Sequence, residues 1–326
     1  MREIYLNWFK QAEEALRIVR GIDLPKYPKP RCIVFAGMGG SGIIGDYVKV
    51  LGNYQLNIPV VVVKDYKLPS WASGEDLLVC ISYSGNTGET IKCFNEALMR
   101  KMNILAFSSN GTLEKLASEK NVAFIPLVKG LVPRASLPAM LYSVLGSLSK
   151  AGIEIVSEEN IKDSIDILRR PVDWSKVDSI VESIEGKMPI IISYTDYYPL
   201  ALRFKNELNE NSKIPVKVEV VPEWGHNDIV GWEMPYSREY TAIILRSRKG
   251  GDEVSNHMLD YAAEYYKSIG LRVEVLECIG ENLLSQLVYG SLIAGLVSIV
   301  LAEKRGIDPI RTISIERYKK AISNVL

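Results

Sequence analysis

Leu77-Leu78-Val79-Cys80-Ile81 runs without a break into Ser82-Tyr83-Ser84-Gly85-Asn86-Thr87-Gly88-Glu89-Thr90. A short apolar run that stops at a cluster of Ser, Gly, Asn and Thr reads as a strand buried on both faces. Helical spacing resumes near Thr90, which predicts a helix directly after the loop. The first turn of a helix carries amide N–H groups without intrahelical partners and a partial positive charge, so such a turn is a seat for an anion. Upstream, Cys32-Ile33-Val34-Phe35-Ala36 empties in the same way into Gly37-Met38-Gly39-Gly40-Ser41-Gly42. Two such turns predict one anion held at neighbouring strand ends. Ser41, Ser82, Ser84 and Thr87 offer neutral hydroxyl donors, and neither loop contains Lys or Arg.

Outward from these turns, short apolar runs alternate with amphipathic stretches. Strands are predicted at 31–36, 60–64, 77–82, 103–107 and 123–127, with helices around 42–51, 90–101 and 112–119. Buried β-branched runs separated by helices indicate an α/β domain around a parallel sheet. Ser136 is placed to cap a helix that accepts Pro138 in its first turn and runs to Lys150. From Ile153 the pattern begins again. A helix is predicted near 174–185, strands at 189–194, 216–221, 241–246 and 272–277, and helices at 200–211, 283–304 and 315–325. Two domains, 1–152 and 153–326, follow. Ser193-Tyr194-Thr195 echoes Ser82-Tyr83-Ser84, but Asp196-Tyr197-Tyr198-Pro199 stands where the glycines would be. The reading is a duplication with one working set of loops.

Lys+Arg and Asp+Glu each total 39 in 326 residues, so no net charge draws the chain to nucleic acid or to an anionic membrane. Cys32, Cys80, Cys93 and Cys278 show no CxxC spacing and read as buried thiols of a cytosolic protein. The N-terminal stretch 1–19 has an amphipathic pattern rather than that of a signal peptide. Leu283–Leu301 approaches a membrane span in length, and the reading preferred is a helix buried at a domain or subunit interface.

Gly37, Gly39 and Gly42 also satisfy GxGxxG between a strand and a helix, with Asp65 after the next strand where a ribose-binding acid belongs. A nicotinamide-dependent dehydrogenase is therefore a rival. Against it, Lys64 adjoins the acid, and the hydroxyl-rich loop at 82–90 has no necessary task in a dinucleotide fold.

Strand–SYSGNTGET together with GMGGSG before a helix resembles the SIS (sugar isomerase) family, and within it the bifunctional phosphoglucose/phosphomannose isomerases of archaea. The resemblance implies two tandem αβα sandwich domains, each around a mostly parallel sheet. It implies cofactor-independent interconversion of glucose 6-phosphate, and mannose 6-phosphate, with fructose 6-phosphate, and a homodimer. It places phosphate binding on Gly40, Ser41, Ser82, Ser84 and Thr87, and an arginine near the reacting carbons at Arg134. Glu210 in Leu208-Asn209-Glu210-Asn211 matches the base. His226 in Pro222-Glu223-Trp224-Gly225-His226-Asn227 matches the ring-opening histidine, thought to be supplied across a dimer interface in this family. Lys319 matches a C-terminal catalytic lysine, with Lys320 one position off as a competitor, and Thr312 matches a threonine associated with mannose 6-phosphate.

An aldose–ketose shift moves a proton between adjacent carbons through an enediolate, which needs a base, a cation near the oxyanion and a group to open the ring. His226 and His257 are the only histidines and no HxH or HExxH spacing occurs, so a metal-dependent route is not expected. On a regular helix Glu210 shares a face with Arg203 and Glu207, and Glu207 is the nearest alternative base. A sugar-phosphate sensor that binds without reacting is the remaining alternative. The base, histidine and lysine matches of the second half argue against it.

Overall fold

The computed structural model describes residues 1–234, 239–248, 252–322 and 325. They form two compact units, one of Asn7–Glu158 with Thr312–Leu326, the other of Met1–Leu6 with Glu159–Arg311. A single cut near 152 therefore misses both chain ends, which belong with the opposite half.

Helix α1 spans Arg2–Leu6 and belongs to the second unit. The first unit runs α2 Trp8–Arg20, β1 Ile33–Ala36, α3 Gly39–Gly52, β2 Val60–Val63, β3 Leu77–Ile81, α4 Gly88–Met99, β4 Asn103–Ser108, α5 Thr112–Glu119, β5 Ala123–Pro126 and α6 Leu137–Lys150. The strands order as β2-β1-β3-β4-β5, with every ladder parallel. β1 and β3 are buried along their whole length, which is why they read as unbroken apolar runs rather than alternating ones. Val34, Leu78, Cys80 and Ala106 pack on Phe94 of α4 and Leu113 of α5. Pro138 sits in the first turn of α6 as expected, but Ser136 does not cap it by accepting an amide. Its hydroxyl instead donates to Pro133 O at 2.8 Å.

After β1 the chain goes to β2 on one side of the sheet and then crosses to β3 on the other. The carboxyl ends of β1 and β3 thus flank a topological switch point, where loops diverge and leave a crevice. Ala36 pairs with Cys80, so the glycine loop and the hydroxyl loop leave the sheet side by side.

The second unit adds α7 Glu158–Leu168, α8 Trp174–Ile184, β6 Met188–Tyr194, α9 Tyr198–Glu207, β7 Lys217–Val221, β8 Tyr240–Ser247, α10 Glu253–Ser268, β9 Arg272–Cys278 and α11 Leu283–Lys304. Its sheet, β7-β6-β8-β9, is parallel throughout. This order puts β6 in the place of β1, not of β3, so the Ser193-Tyr194-Thr195 echo sits on the wrong strand to be a copy of the hydroxyl loop. The counterpart of β3 is β8, and the helix after it is capped by Asp252, whose carboxylate accepts from Ser255 N at 2.8 Å. A carboxylate of the chain itself thus holds that helix start.

The apolar helix α11 is the core of the second unit. It packs against α1, α8, α9 and β9, and 89% of its most apolar window is buried. The chain itself therefore covers most of this helix, as the core helix of a unit requires. Helix α12, Ile313–Ile322, belongs to the first unit; it begins before the predicted 315, and the predicted positions 323 and 324 lie outside the described residues.

α1 is held to the second unit by Tyr5, which is fully buried, touches Gly295 of α11 and donates to Glu207 Oε2 at 2.6 Å. Replacing Tyr5 by Ala is expected to cost about 3–5 kcal/mol, from the cavity and the lost donor. Denaturant unfolding together with amide exchange in α9 and α11 checks this, and a change below about 1 kcal/mol contradicts it.

Candidate active site

The loop after β3 is folded by its own polar groups. Ser82 Oγ donates to Thr87 Oγ1 at 2.9 Å and accepts the Thr87 amide at 3.4 Å. Ser84 Oγ accepts the Asn86 amide at 3.3 Å, and Asn86 Oδ1 takes both the amide and the hydroxyl of Thr112, each at 3.0 Å. Gly85 has φ +67°, and a Cβ there would lie 1.7 Å from Asn110 O, so no larger residue fits. Helix α4 begins at Gly88 with Thr87 at its N-cap, two residues earlier than predicted. Its first intrahelical bond, Ile91 N to Thr87 O, leaves the Gly88, Glu89 and Thr90 amides at the helix start. Ser82 is buried, while Ser84 and Thr87 are half-buried. The result is a preformed cup of amides and hydroxyls that suits an oxyanion.

The glycine loop closes this cup from the side of β1. Ser41 Oγ accepts the Tyr83 amide at 3.1 Å and lies 3.6 Å from Met140 Sδ. A Cβ on Gly40 would come within 2.9 Å of Pro133 O and 3.4 Å of Arg134 N, so Gly40 lets the Pro133–Ala135 turn lie directly on the loop. Arg134 is buried in that turn. The structure thus brings Gly40, Ser41, Ser82, Ser84, Thr87 and Arg134 into one unit at one sheet edge. The end of β2 weakens the dinucleotide reading: Lys64 pairs with Asp46, and Asp65 Oδ1 accepts the neighbouring Tyr66 amide at 2.6 Å.

In the second unit Glu210 lies in a π-helical turn, Leu208–Ser212, that follows α9 and ends on Lys213 with φ +57°. The wider turn changes the facing of everything after Glu207. Glu207 is buried, ion-paired with Arg203 and bonded to Tyr5 and to Asn211 Nδ2 at 2.7 Å, whereas Glu210 is partly exposed. The expectation that both glutamates share a face fails because the helix does not stay α. It also disqualifies Glu207 as the alternative base, since its oxygens are committed to holding the unit together.

His226 ends a short 3₁₀ turn, Glu223–His226, and is exposed. Its loop is anchored by the buried Trp224, whose Nε1 donates to Tyr266 Oη at 2.9 Å. Tyr266 in turn donates to the buried Glu219, which also accepts from Trp232 Nε1 at 3.0 Å. Burial beside Glu219 pushes the Tyr266 phenol well up, so it stays a neutral donor. Thr312 precedes α12, its carbonyl accepting the Ile315 and Glu316 amides, and Lys319 and Lys320 are both exposed on that helix. Among the described residues no group of three His, Cys, Asp or Glu side chains is gathered as for a metal ion.

A family model, the bacterial phospho-glucose isomerase C-terminal SIS domain, matches residues 175–322. Over 324 residues, 95% of this chain and 98% of the relative, the sequence is 36% identical to a bifunctional phosphoglucose/phosphomannose isomerase of Aquifex aeolicus. The chain belongs to the SIS family of bifunctional phosphoglucose/phosphomannose isomerases. A full-length relative within the same range, 28% identical over 331 residues, is a D-glucosamine-6-phosphate 4-epimerase of Sulfolobus acidocaldarius; it is covered to 99% and covers all of this chain. The crystal structure of the hypothetical protein TT0462 from Thermus thermophilus superposes with a TM-score of 0.77 over 98% of this chain and 90% of that one. At 13% identity that likeness concerns the SIS fold alone.

Sequence reasoning passed over Tyr83, whose amide and side chain tie the cup to two other segments, because its partners lie 42 to 48 positions away. The Gly85→Ala substitution is expected to cost about 3 kcal/mol, from a left-handed backbone and a backbone overlap. It should also abolish binding of inorganic phosphate, as calorimetry checks; near-normal binding would show that this loop is not the seat.

Proposed function

We propose that the chain is a cytosolic, cofactor-independent isomerase that interconverts glucose 6-phosphate, and mannose 6-phosphate, with fructose 6-phosphate. The observation that carries this reading is the cup after β3: neutral hydroxyls and helix-start amides at one strand end, with a buried arginine on the adjoining turn. The full-length isomerase relative supports it, as do four free buried thiols for the cytosolic setting.

In this reading the phosphate rests on Ser82, Ser84, Thr87 and the start of α4, with Gly40 and Ser41 closing the cup. His226 opens the ring by moving the proton between the ring oxygen and the anomeric hydroxyl. The Glu210 carboxylate removes the proton from C2 of the open aldose, and the C1 carbonyl takes up the electron pair as an enediolate. The same proton returns to C1, the O2 hydroxyl proton passes to O1, and the C2 ketone forms. Arg134 steadies the oxyanion, Lys319 adds a second cation, and Thr312 admits the mannose epimer. A positioned base contributes about 10²–10⁴-fold, so the cations must carry a comparable share. A homodimer is part of the proposal. Helix α12 buries none of its described residues and exposes Ile313, Ile315 and Tyr318, which supports a second copy covering them.

Glucose, mannose and glucosamine 6-phosphates are offered singly to the purified protein without NAD or added metal, and products are followed by NMR. Fructose 6-phosphate is expected from both hexoses. No product from either, or a C4 epimer of glucosamine 6-phosphate alone, overturns the reading.

The two glutamates separate cleanly. Glu210→Gln should lower kcat by about 10²-fold or more at unchanged stability. Glu207→Gln should destabilise by about 3 kcal/mol, through the buried Arg203 pair, while its folded fraction keeps near-normal turnover. The reverse pattern in kinetics and thermal unfolding would reassign the base. Arg134→Ala is expected to lower kcat more than it raises KM, and Ser84→Ala or Thr87→Ala chiefly to raise KM, which steady-state kinetics distinguish.

A further inference from the structure

We propose that Tyr83 is a positioning residue, a strut that fixes the Arg134 turn to the phosphate cup. The tyrosine lies between Ser82 and Ser84, and its main chain is locked in place: the amide donates to Ser41 Oγ at 3.1 Å, and the carbonyl accepts the amide and hydroxyl of Ser109 at 2.9 and 2.7 Å. Its phenol reaches away from the cup to the segment after β5. There it donates to Val128 O at 2.7 Å and accepts the Leu131 amide at 3.0 Å, bracketing a turn at Gly130, whose φ is +83°. One residue on, Val132 O accepts the Ala135 amide at 2.9 Å and closes the turn that contains Arg134.

The downstream side of that turn is held separately. Trp8 Nε1 and Gln11 Nε2 both donate to Ala135 O at 3.0 Å, and Pro133 lies on Gly40. Without the phenol oxygen the upstream side keeps no tie to the cup through Tyr83. The segment 128–132 is only partly buried or exposed, so it holds its place by such bonds rather than by packing. A buried tyrosine with both a donor and an acceptor bond made is rigid, and burial pushes its phenol up, so the strut stays neutral and intact across the physiological range. The phosphate contacts use the hydroxyls and amides on either side of Tyr83 and not its ring. The strut therefore bears on the reacting end of the substrate and not on its phosphate.

The kinetic arm of the test rests on the isomerase reading. Tyr83→Phe is expected to lower kcat about tenfold to a hundredfold while the inhibition constant of inorganic phosphate stays within about twofold. In an Arg134→Ala background the same change should cost less than about twofold, because the strut then has nothing to position. Full additivity, or a rise in the phosphate constant at unchanged kcat, would refute the role. The second arm needs no turnover. In the unaltered protein the Leu131 amide should exchange about a hundredfold more slowly than in an unstructured peptide, and Tyr83→Phe should remove that protection while the bonded Ser82, Tyr83 and Gly85 amides keep theirs. Exchange at the unstructured rate in the unaltered protein sinks the strut even if the enzyme isomerises hexose phosphates. Protection without any hexose phosphate turnover supports the strut and sinks the isomerase reading alone.

Discussion

The hydrogen bond from the Tyr83 amide to the Ser41 hydroxyl joins two loops that leave the sheet at its switch point, and the site hangs on that closure. Parallel strands β1 and β3 end in register, so their loops emerge about one strand spacing apart. Each would be a floppy connection alone. Joined, they give the helix-start amides of α4 a wall, and Gly40 a turn to rest against. The loop contains no cation of its own, so what it offers is geometry, hydroxyls and main-chain dipoles rather than charge.

This economy explains the glycines. Gly37 and Gly42 of the fingerprint lie against each other, a Cβ on Gly42 falling 2.5 Å from Gly37 O, so they serve the tight turn itself. Gly40, between them and outside the fingerprint, lets the Arg134 turn lie on the loop, a contact that depends on a segment nearly a hundred residues downstream. In the second unit the comparable helix start is occupied by the carboxylate of Asp252, and Tyr194 and Tyr197 stack at 4.6 Å after β6. The two units share a strand order and differ in their loops.

The second unit owes its cohesion to an arrangement that runs against simple helical bookkeeping. Arg203, Glu207, Tyr5 and Asn211 form a buried polar cluster in which every contact crosses from one element to another or from one turn to the next. The π turn that follows Glu207 places Asn211 beneath it, with Nδ2 also on Ser298 Oγ at 2.9 Å. That turn releases Glu210 from the buried face. The neighbouring glutamates are thereby given opposite fates, one committed to the interior and one left accessible.

Much of this was legible in the residues. Strands buried on both faces must be apolar throughout, so β1, β3, β4 and β6 announced themselves to within a residue or two, as did the bounds of α5 and α11. The hydroxyl loop was legible too, because strand, turn chemistry and helix start are all local. What sequence could not supply were the long-range partners. It matched Ser193 to the hydroxyl loop because strand order is not written locally, and carried an α spacing through a turn that widens to π. Local sequence sets what a segment prefers, through propensity and burial period. Which hydroxyl meets which amide, and which of two glutamates stays wet, depends on elements brought together from distant parts of the chain, and only the packed fold decides that.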